Sequence, residues 1–190
     1  MSPSLLPTTA HDSRLSPVDP RHAALFCFAL LTASCALASF ALACATPFAA
    51  FAVIAAAMLP LRAALLVTTG VWFVNQGTGF GALHYPIDGG TILWGLVIGI
   101  AALAATAVAA AVLRLRSSTP PVLALALLSA YCVYELVLFA ATPILGGADS
   151  FTAAIVARIG MTNVAWLIGL VAACEIARLI RAAWESPARA

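Results

Sequence analysis

The chain is 190 residues long, 64% hydrophobic and only 8% charged, with a mean hydropathy of +1.08 and a formal net charge of +2. A soluble domain of this length needs far more charge to cover its surface, so the composition points to an integral membrane protein whose first partner is the lipid bilayer. Every basic residue is arginine and no clustered basic face exists, which argues against nucleic-acid binding.

Residues 1–21 carry Pro3, Pro7, Pro17 and Pro20 with Asp12, Arg14, Asp19 and Arg21, and read as a flexible N-terminal tail. Residues 22–182 form the membrane domain. Its first apolar run, 23–46, is long enough to cross a hydrocarbon core of ~30 Å at ~1.5 Å per residue, and too long for a cleaved signal peptide. Two short runs follow, 48–59 and 63–74, separated by Pro60 and Arg62. Each has roughly a dozen residues against the usual ~20, so they read as two spans or as one kinked helix. Runs 91–113 and 122–142 are full spans. The sixth, 152–180, is interrupted by Arg158 and Asn163. Residues 183–190 are a C-terminal tail.

Arginine placement favours six spans. Arg14, Arg21, Arg62, Arg114, Arg116, Arg178, Arg181 and Arg189 then share one side, and the opposite loops contain no arginine. Positive charge accumulates on the cytoplasmic side, so both termini are expected there. A merged second and third run would bury Arg62 in mid-membrane. The sequence thus predicts an all-α, six-transmembrane-helix bundle with cytoplasmic N- and C-termini. Cys27, Cys35, Cys44, Cys132 and Cys174 all fall inside predicted spans without a Cys-x-x-Cys pair, and read as small buried hydrophobes.

The segment 75–90 breaks the hydrophobic pattern with Asn75, Gln76, His84, Tyr85, Asp88 and five glycines. Polar groups and irregular backbone are costly beside lipid, so this segment is expected to pack on protein, line a cavity or face water. The six-span topology places it on the outer face, where it and the loop at Gly146, Gly147 and Asp149 could form one mouth. His84 offers an imidazole lone pair, enough for one axial ligand to a metal already held in a macrocycle. A hydrogen-bonding loop histidine is the plainer reading.

Glu135 and Arg158 lie at a similar depth, ~10 Å below the outer loop that joins their helices. A buried salt bridge between them is one reading; a proton-carrying or cation-binding Glu135 is the other. Asn163 could bond across helices or face a ligand. Trp72 and Trp94 fit an interfacial aromatic belt or a ligand-stacking role. Glu175, Arg178 and Arg181 read as local ion pairs on a solvated helix end. Small residues at Ala29-x-x-x-Ala33 and Ala41-x-x-x-Ala45 suit close helix packing. No nucleophile–base set appears, so an enzyme is not expected, and no Gly-x-x-x-x-Gly-Lys loop marks an energy-coupling site.

The series Val74-Asn75-Gln76, Gly79-Phe80-Gly81, Leu83 and Tyr85-Pro86, followed by Trp94-Gly95, resembles the BtuM-type vitamin B12 transporters. These small bacterial inner-membrane proteins are similar to the substrate-binding S-components of energy-coupling-factor transporters. The resemblance implies a multi-pass protein of the bacterial inner (cytoplasmic) membrane with no intrinsic cofactor. It also implies a periplasm-facing pocket for cobalamin or cobinamide, and a partnership with an energy-coupling-factor module that is not obligatory. Substrate-binding residues would be Asn75, Gln76, Gly79, Phe80, Gly81, His84, Tyr85 and Asp88. Many family members carry a cobalt-coordinating cysteine in this region; here there is none, and His84 is the replacement axial ligand it suggests. A transporter for another vitamin or metal, and a non-transport membrane subunit or assembly factor, are the alternatives.

Overall fold

The computed structural model describes residues 15–42, 45–115 and 119–185, so Arg14, Cys44, Arg116 and Arg189 lie outside the described residues. Among these residues there is no strand. Six α-helices follow one another: α1 (Pro20–Leu42), α2 (Phe48–Met58), α3 (Leu61–Gly77), α4 (Gly89–Leu115), α5 (Pro120–Leu145) and α6 (Ala153–Glu185). A π-helical turn at Thr78–Ala82 prolongs α3, and a 3-10 turn at Ala148–Phe151 precedes α6. Four helices, α1, α4, α5 and α6, are long and apolar enough to cross a membrane.

Proline marks several helix starts, because its fixed φ suits the first turn and its missing N–H has no partner there anyway. Pro20 opens α1, Pro120 and Pro121 open α5, and Pro47 and Pro60 immediately precede α2 and α3. Pro143 is the exception, since α5 runs through it to Leu145 where a loop was expected. The bond its nitrogen cannot give is replaced by the Thr142 hydroxyl, which donates to the Phe139 carbonyl at 2.9 Å.

Helix α2 is the centre of the molecule. Every one of its eleven residues is buried, and it touches each of the other five helices. A helix apolar on all sides belongs inside a bundle. Its alanines allow the close approach, while Phe48 stacks near Tyr134 of α5 and Phe51 meets Trp166 of α6 edge-on.

This helix also starts deep. Asn163 lies about ten residues, or ~15 Å, along α6, and its Oδ1 accepts a hydrogen bond from the Ala50 backbone N–H at 3.0 Å. Tyr134, stacked near Phe48, lies a similar ~16 Å from the end of α5. The start of α2 therefore lies well below the ends of α5 and α6. The chain turns at Pro47, where Phe48 N–H bonds back to the Thr46 carbonyl at 2.8 Å.

The first N–H groups of a helix have no intrahelical partner, and Pro47 has no side chain able to accept one. Asn163 supplies that acceptor from another helix. Its amide NH₂ is in turn fixed by donating to the Ile159 carbonyl at 3.0 Å. Of the two roles open to Asn163 in the sequence, the structure shows the cross-helix bond.

The α3–α4 seam depends on two glycines. A Cβ on Gly99 would lie 2.8 Å from the Trp72 indole, and one on Gly95 would collide with the Gln76 amide oxygen. Trp72 Nε1 donates to the Gly95 carbonyl at 2.8 Å, and the Thr68 and Thr106 hydroxyls meet at 3.1 Å further along. The small residues of α1 behave differently from expectation. Ala29, Ala33 and Ala41 are exposed, whereas Cys27, Leu31, Ser34, Cys35 and Ala38 form its buried stripe. Cys27, Cys35 and Cys174 are buried and free, and Cys132 is exposed.

The last residues of the expected tail are packed. Leu15 is buried, Val18 lies against the core, and Arg181 of α6 donates to the Pro17 carbonyl and reaches Asp19 at 3.3 Å. Two apolar side chains and an arginine thus hold residues 15–19 to the bundle, and the starts of α1 and the end of α6 lie together. Glu175 pairs with Arg178 as expected, and Arg181 joins the N-terminal segment instead.

Asn163→Ala leaves the buried Ala50 N–H without its acceptor, a loss of ~1–3 kcal/mol. A clear drop in the midpoint of thermal unfolding in detergent is the expected result, with Thr162→Ala, which removes only a hydroxyl bonded within its own helix, close to the parent.

Candidate functional site

The deep start of α2 leaves a well at the end of the bundle where α3 finishes and α4 begins, and two adjoining cavities fill it. The first, about 110 Å³, is lined by Ser39, Phe48, Asn75, Gln76, Gly79, Phe80, Leu83, Tyr85, Thr91, Trp94, Gly95 and Ile98. The second, about 310 Å³, is lined by residues that include Ala45, Thr46, Tyr134, Glu135, Ser150 and Phe151. Trp94 and Ile98 belong to both walls.

The polar floor of the first cavity is built on the last turn of α3. Asn75 Nδ2 donates to Ser39 Oγ of α1 at 3.1 Å and to Thr46 Oγ1 at 3.0 Å, and Gln76 Nε2 donates to Asn75 Oδ1 at 3.3 Å. Both hydroxyls belong to buried residues. A polar group at this depth must find such partners, because burial without a hydrogen bond costs several kcal/mol at most sites, roughly 2–7 by transfer scales.

The first half of the 75–90 segment is therefore helical where irregular backbone was expected. Continued helix satisfies its backbone groups internally, as an apolar environment demands. Thr78–Ala82 widens into a π turn, and the Thr78 hydroxyl donates to the Val74 carbonyl at 2.9 Å. The turn ends at His84, whose φ of +55° is left-handed, a conformation histidine tolerates better than most side chains. That reversal lets Tyr85 N–H bond back to the Gly79 carbonyl at 3.0 Å. Gly79 needs its bare Cα here, since a Cβ would stand 2.9 Å from the Tyr85 ring.

Five of the expected site residues thus converge on one cavity: Asn75, Gln76, Gly79, Phe80 and Tyr85. Gly81, His84 and Asp88 do not line it and are exposed. His84 serves the backbone reversal, and its imidazole is outside the lining. Asp88 starts α4, accepting from the Thr91 N–H at 2.9 Å and the Thr91 hydroxyl at 3.1 Å. Among the described residues no group of three His, Cys, Asp or Glu side chains comes together.

Ser39 and Thr46 are site residues that the reading of the sequence missed, and Gly99, with Gly95, packs α4 against α3 beside the site. The Gly95-x-x-x-Gly99 spacing is the signal that marks the close α3–α4 approach. Trp72 is half-buried in the α3–α4 seam, and Trp94 lies in the wall between the cavities.

The expected salt bridge between Glu135 and Arg158 is not formed. The described ion pairs are Arg178–Glu175 and Arg181–Asp19, and Arg158 is exposed. Equal depth on two helices does not put two side chains on facing surfaces. Tyr131 occupies the α5–α6 contact instead, donating to the Val156 carbonyl at 2.5 Å and packing by Gly160. Glu135, one turn along α5 from Tyr131, lines the second cavity.

Comparison with family models, with curated proteins and with solved structures returns no match to this chain.

Hydrogen bonds from Thr91, first from its backbone N–H and then from its hydroxyl, hold the Asp88 carboxyl below its ordinary value of 3.8. A depressed folded value means that the cap is fully effective above pH ~4 and is lost as pH falls through that lower value. Protection of the Thr91 amide relative to its intrinsic exchange rate is expected to fall over this acid range, and Asp88→Ala should show the lower protection at every pH.

Proposed function

We propose that this chain is a six-span uptake protein of a bacterial inner membrane that captures a corrinoid, cobalamin or cobinamide, at its outer face. The observation that carries the solute-binding part is the convergence of Asn75, Gln76, Tyr85 and Trp94 on one cavity over the buried start of α2. A mostly apolar pocket with a few placed amides and aromatic rings suits a large amphipathic ligand with an amide-bearing rim. The corrinoid itself comes from the resemblance of residues 74–95 to the BtuM-type proteins.

Two features support six crossings. The helices alternate in direction, so that α1, α3 and α5 end, and α2, α4 and α6 begin, toward the well. Arg62 and Arg114 flank the opposite end, where Pro60, Leu61 and Arg114 surround a common cavity, and Arg181 meets Asp19 beside the start of α1. Under the positive-inside rule that end is cytoplasmic and the well opens outward. In this reading α2 and α3, with its π turn, count as the second and third crossings, α2 being short because its outer half is replaced by the well. Energy would come from an energy-coupling-factor module, or uptake would run downhill.

The cavity volume favours a second reading. About 110 Å³ is room for a few waters at ~30 Å³ each, so a corrin ring enters only if the turn carrying Leu83 and Tyr85 swings outward. A smaller vitamin-sized solute needs less movement. His84, at the rim, reaches cobalt only through the same motion.

Protein purified after growth with cobalamin is expected to carry a visible corrinoid spectrum in roughly equimolar amount. Asn75→Ala, which strands the Ser39, Thr46 and Gln76 partners, should weaken binding roughly tenfold or more. His84→Ala should shift the spectrum if the imidazole ligates cobalt, and an unchanged spectrum removes that role alone. A colourless protein that binds neither cobalamin nor cobinamide overturns the corrinoid assignment and leaves the smaller solute.

A further inference from the structure

The second cavity has a chemistry that corrinoid capture does not use. Glu135 sits about ten residues, or ~15 Å, inside the end of α5, at a depth where a carboxylate is expensive unless it is paired or serves a ligand. Neither described ion pair includes it, and Arg158 is exposed on the neighbouring helix. The hydroxyl of Tyr131, one turn back, donates to the Val156 carbonyl and adds no positive charge.

What faces Glu135 is a chamber of about 310 Å³ with three aromatic residues, Trp94, Tyr134 and Phe151, and two hydroxyl residues, Thr46 and Ser150. A bare metal ion wants a shell of oxygens, and this wall offers mainly carbon. Aromatic faces attract a cation through the ring quadrupole, and the attraction grows when the cation has shed its water. The volume corresponds to about ten waters at ~30 Å³ each, far more than a proton or an alkali ion needs.

We propose that this chamber binds an organic monocation carrying a primary or quaternary ammonium group. The ammonium pairs with the Glu135 carboxylate, its carbon substituents rest on Trp94, Tyr134 and Phe151, and Thr46 and Ser150 offer hydroxyls to any polar tail. Access is at the 3-10 turn, where Gly147 and Ser150 line the cavity. Gly147 has φ +85°, a left-handed conformation that favours glycine, and the backbone there passes within van der Waals reach of the Trp94 ring. The site does not depend on a corrinoid in the first cavity, although Trp94 and Ile98 are common to both walls.

The test is titration of the purified full-length protein, in an uncharged maltoside detergent, with choline, benzyltrimethylammonium and phenethylamine, followed by tryptophan fluorescence and calorimetry. The neutral control is 3,3-dimethylbutan-1-ol, which has the shape of choline without its charge. Saturable binding of at least one cation is expected, with the choline-shaped alcohol at least tenfold weaker than choline if choline is the one bound. Glu135→Gln should weaken cation binding at least tenfold, and Phe151→Ala should weaken it while leaving Glu135 in place. Two variants guard against one that fails to fold, and corrinoid binding measured on the same samples reports the first cavity separately. No saturable binding by any of the three cations, or binding that Glu135→Gln leaves unchanged, overturns the proposal.

Discussion

The hydrogen bond from the Ala50 N–H to Asn163 is the contact on which the functional end of this bundle depends. It caps a helix whose start lies some 15 Å below the ends of α5 and α6 and has no capping side chain of its own. Without that acceptor the buried Ala50 N–H would be stranded. The amide on α6 and Pro47 before the first turn together mark where the central helix begins, below the cavities.

The same constraint shapes what lines that space. The strand of chain descending to Pro47 brings Thr46 to the end of α3, where Asn75 holds it together with Ser39. Asn75 thus ties α1, the descending segment and α3 to one point, and the wall of one cavity is continuous with that of the next. Gly95 and Gly99 draw α4 against α3, which sets Trp94 between the two chambers. Two chambers result, one mostly apolar with two amides in its wall and the other with a carboxylate among aromatic rings. A solute spanning both would have to displace the Trp94 ring.

The long elements are readable in the sequence because hydrophobic length alone marks them: α1, α4, α5 and α6 fall where their apolar runs lie. The ambiguous pair of short runs is ambiguous for a physical reason. An eleven-residue helix buried on every side carries neither the length of a span nor the polar face of a surface helix. At the site, Asn75, Gln76, Gly79, Phe80 and Tyr85 stand out as polar, aromatic or conformationally free positions in an apolar chain. Their partners do not. Ser39 and Thr46 look like ordinary small residues of a membrane helix and its end, and only the tertiary arrangement brings them to Asn75. Glu135 and Arg158 show the opposite failure, because depth can be counted from sequence but the face each side chain turns to its neighbours cannot.

The most direct measurement of the central claim, that the well opens to the outside, is thiol labelling of intact cells with a membrane-impermeant maleimide. The parent is a variant with its native cysteines replaced, carrying either His84→Cys at the rim of the well or Arg62→Cys at the opposite end, both exposed positions. The account expects His84→Cys to label in intact cells and Arg62→Cys to label only after the membrane is permeabilised. Labelling of Arg62→Cys from outside, with His84→Cys protected until permeabilisation, would contradict it.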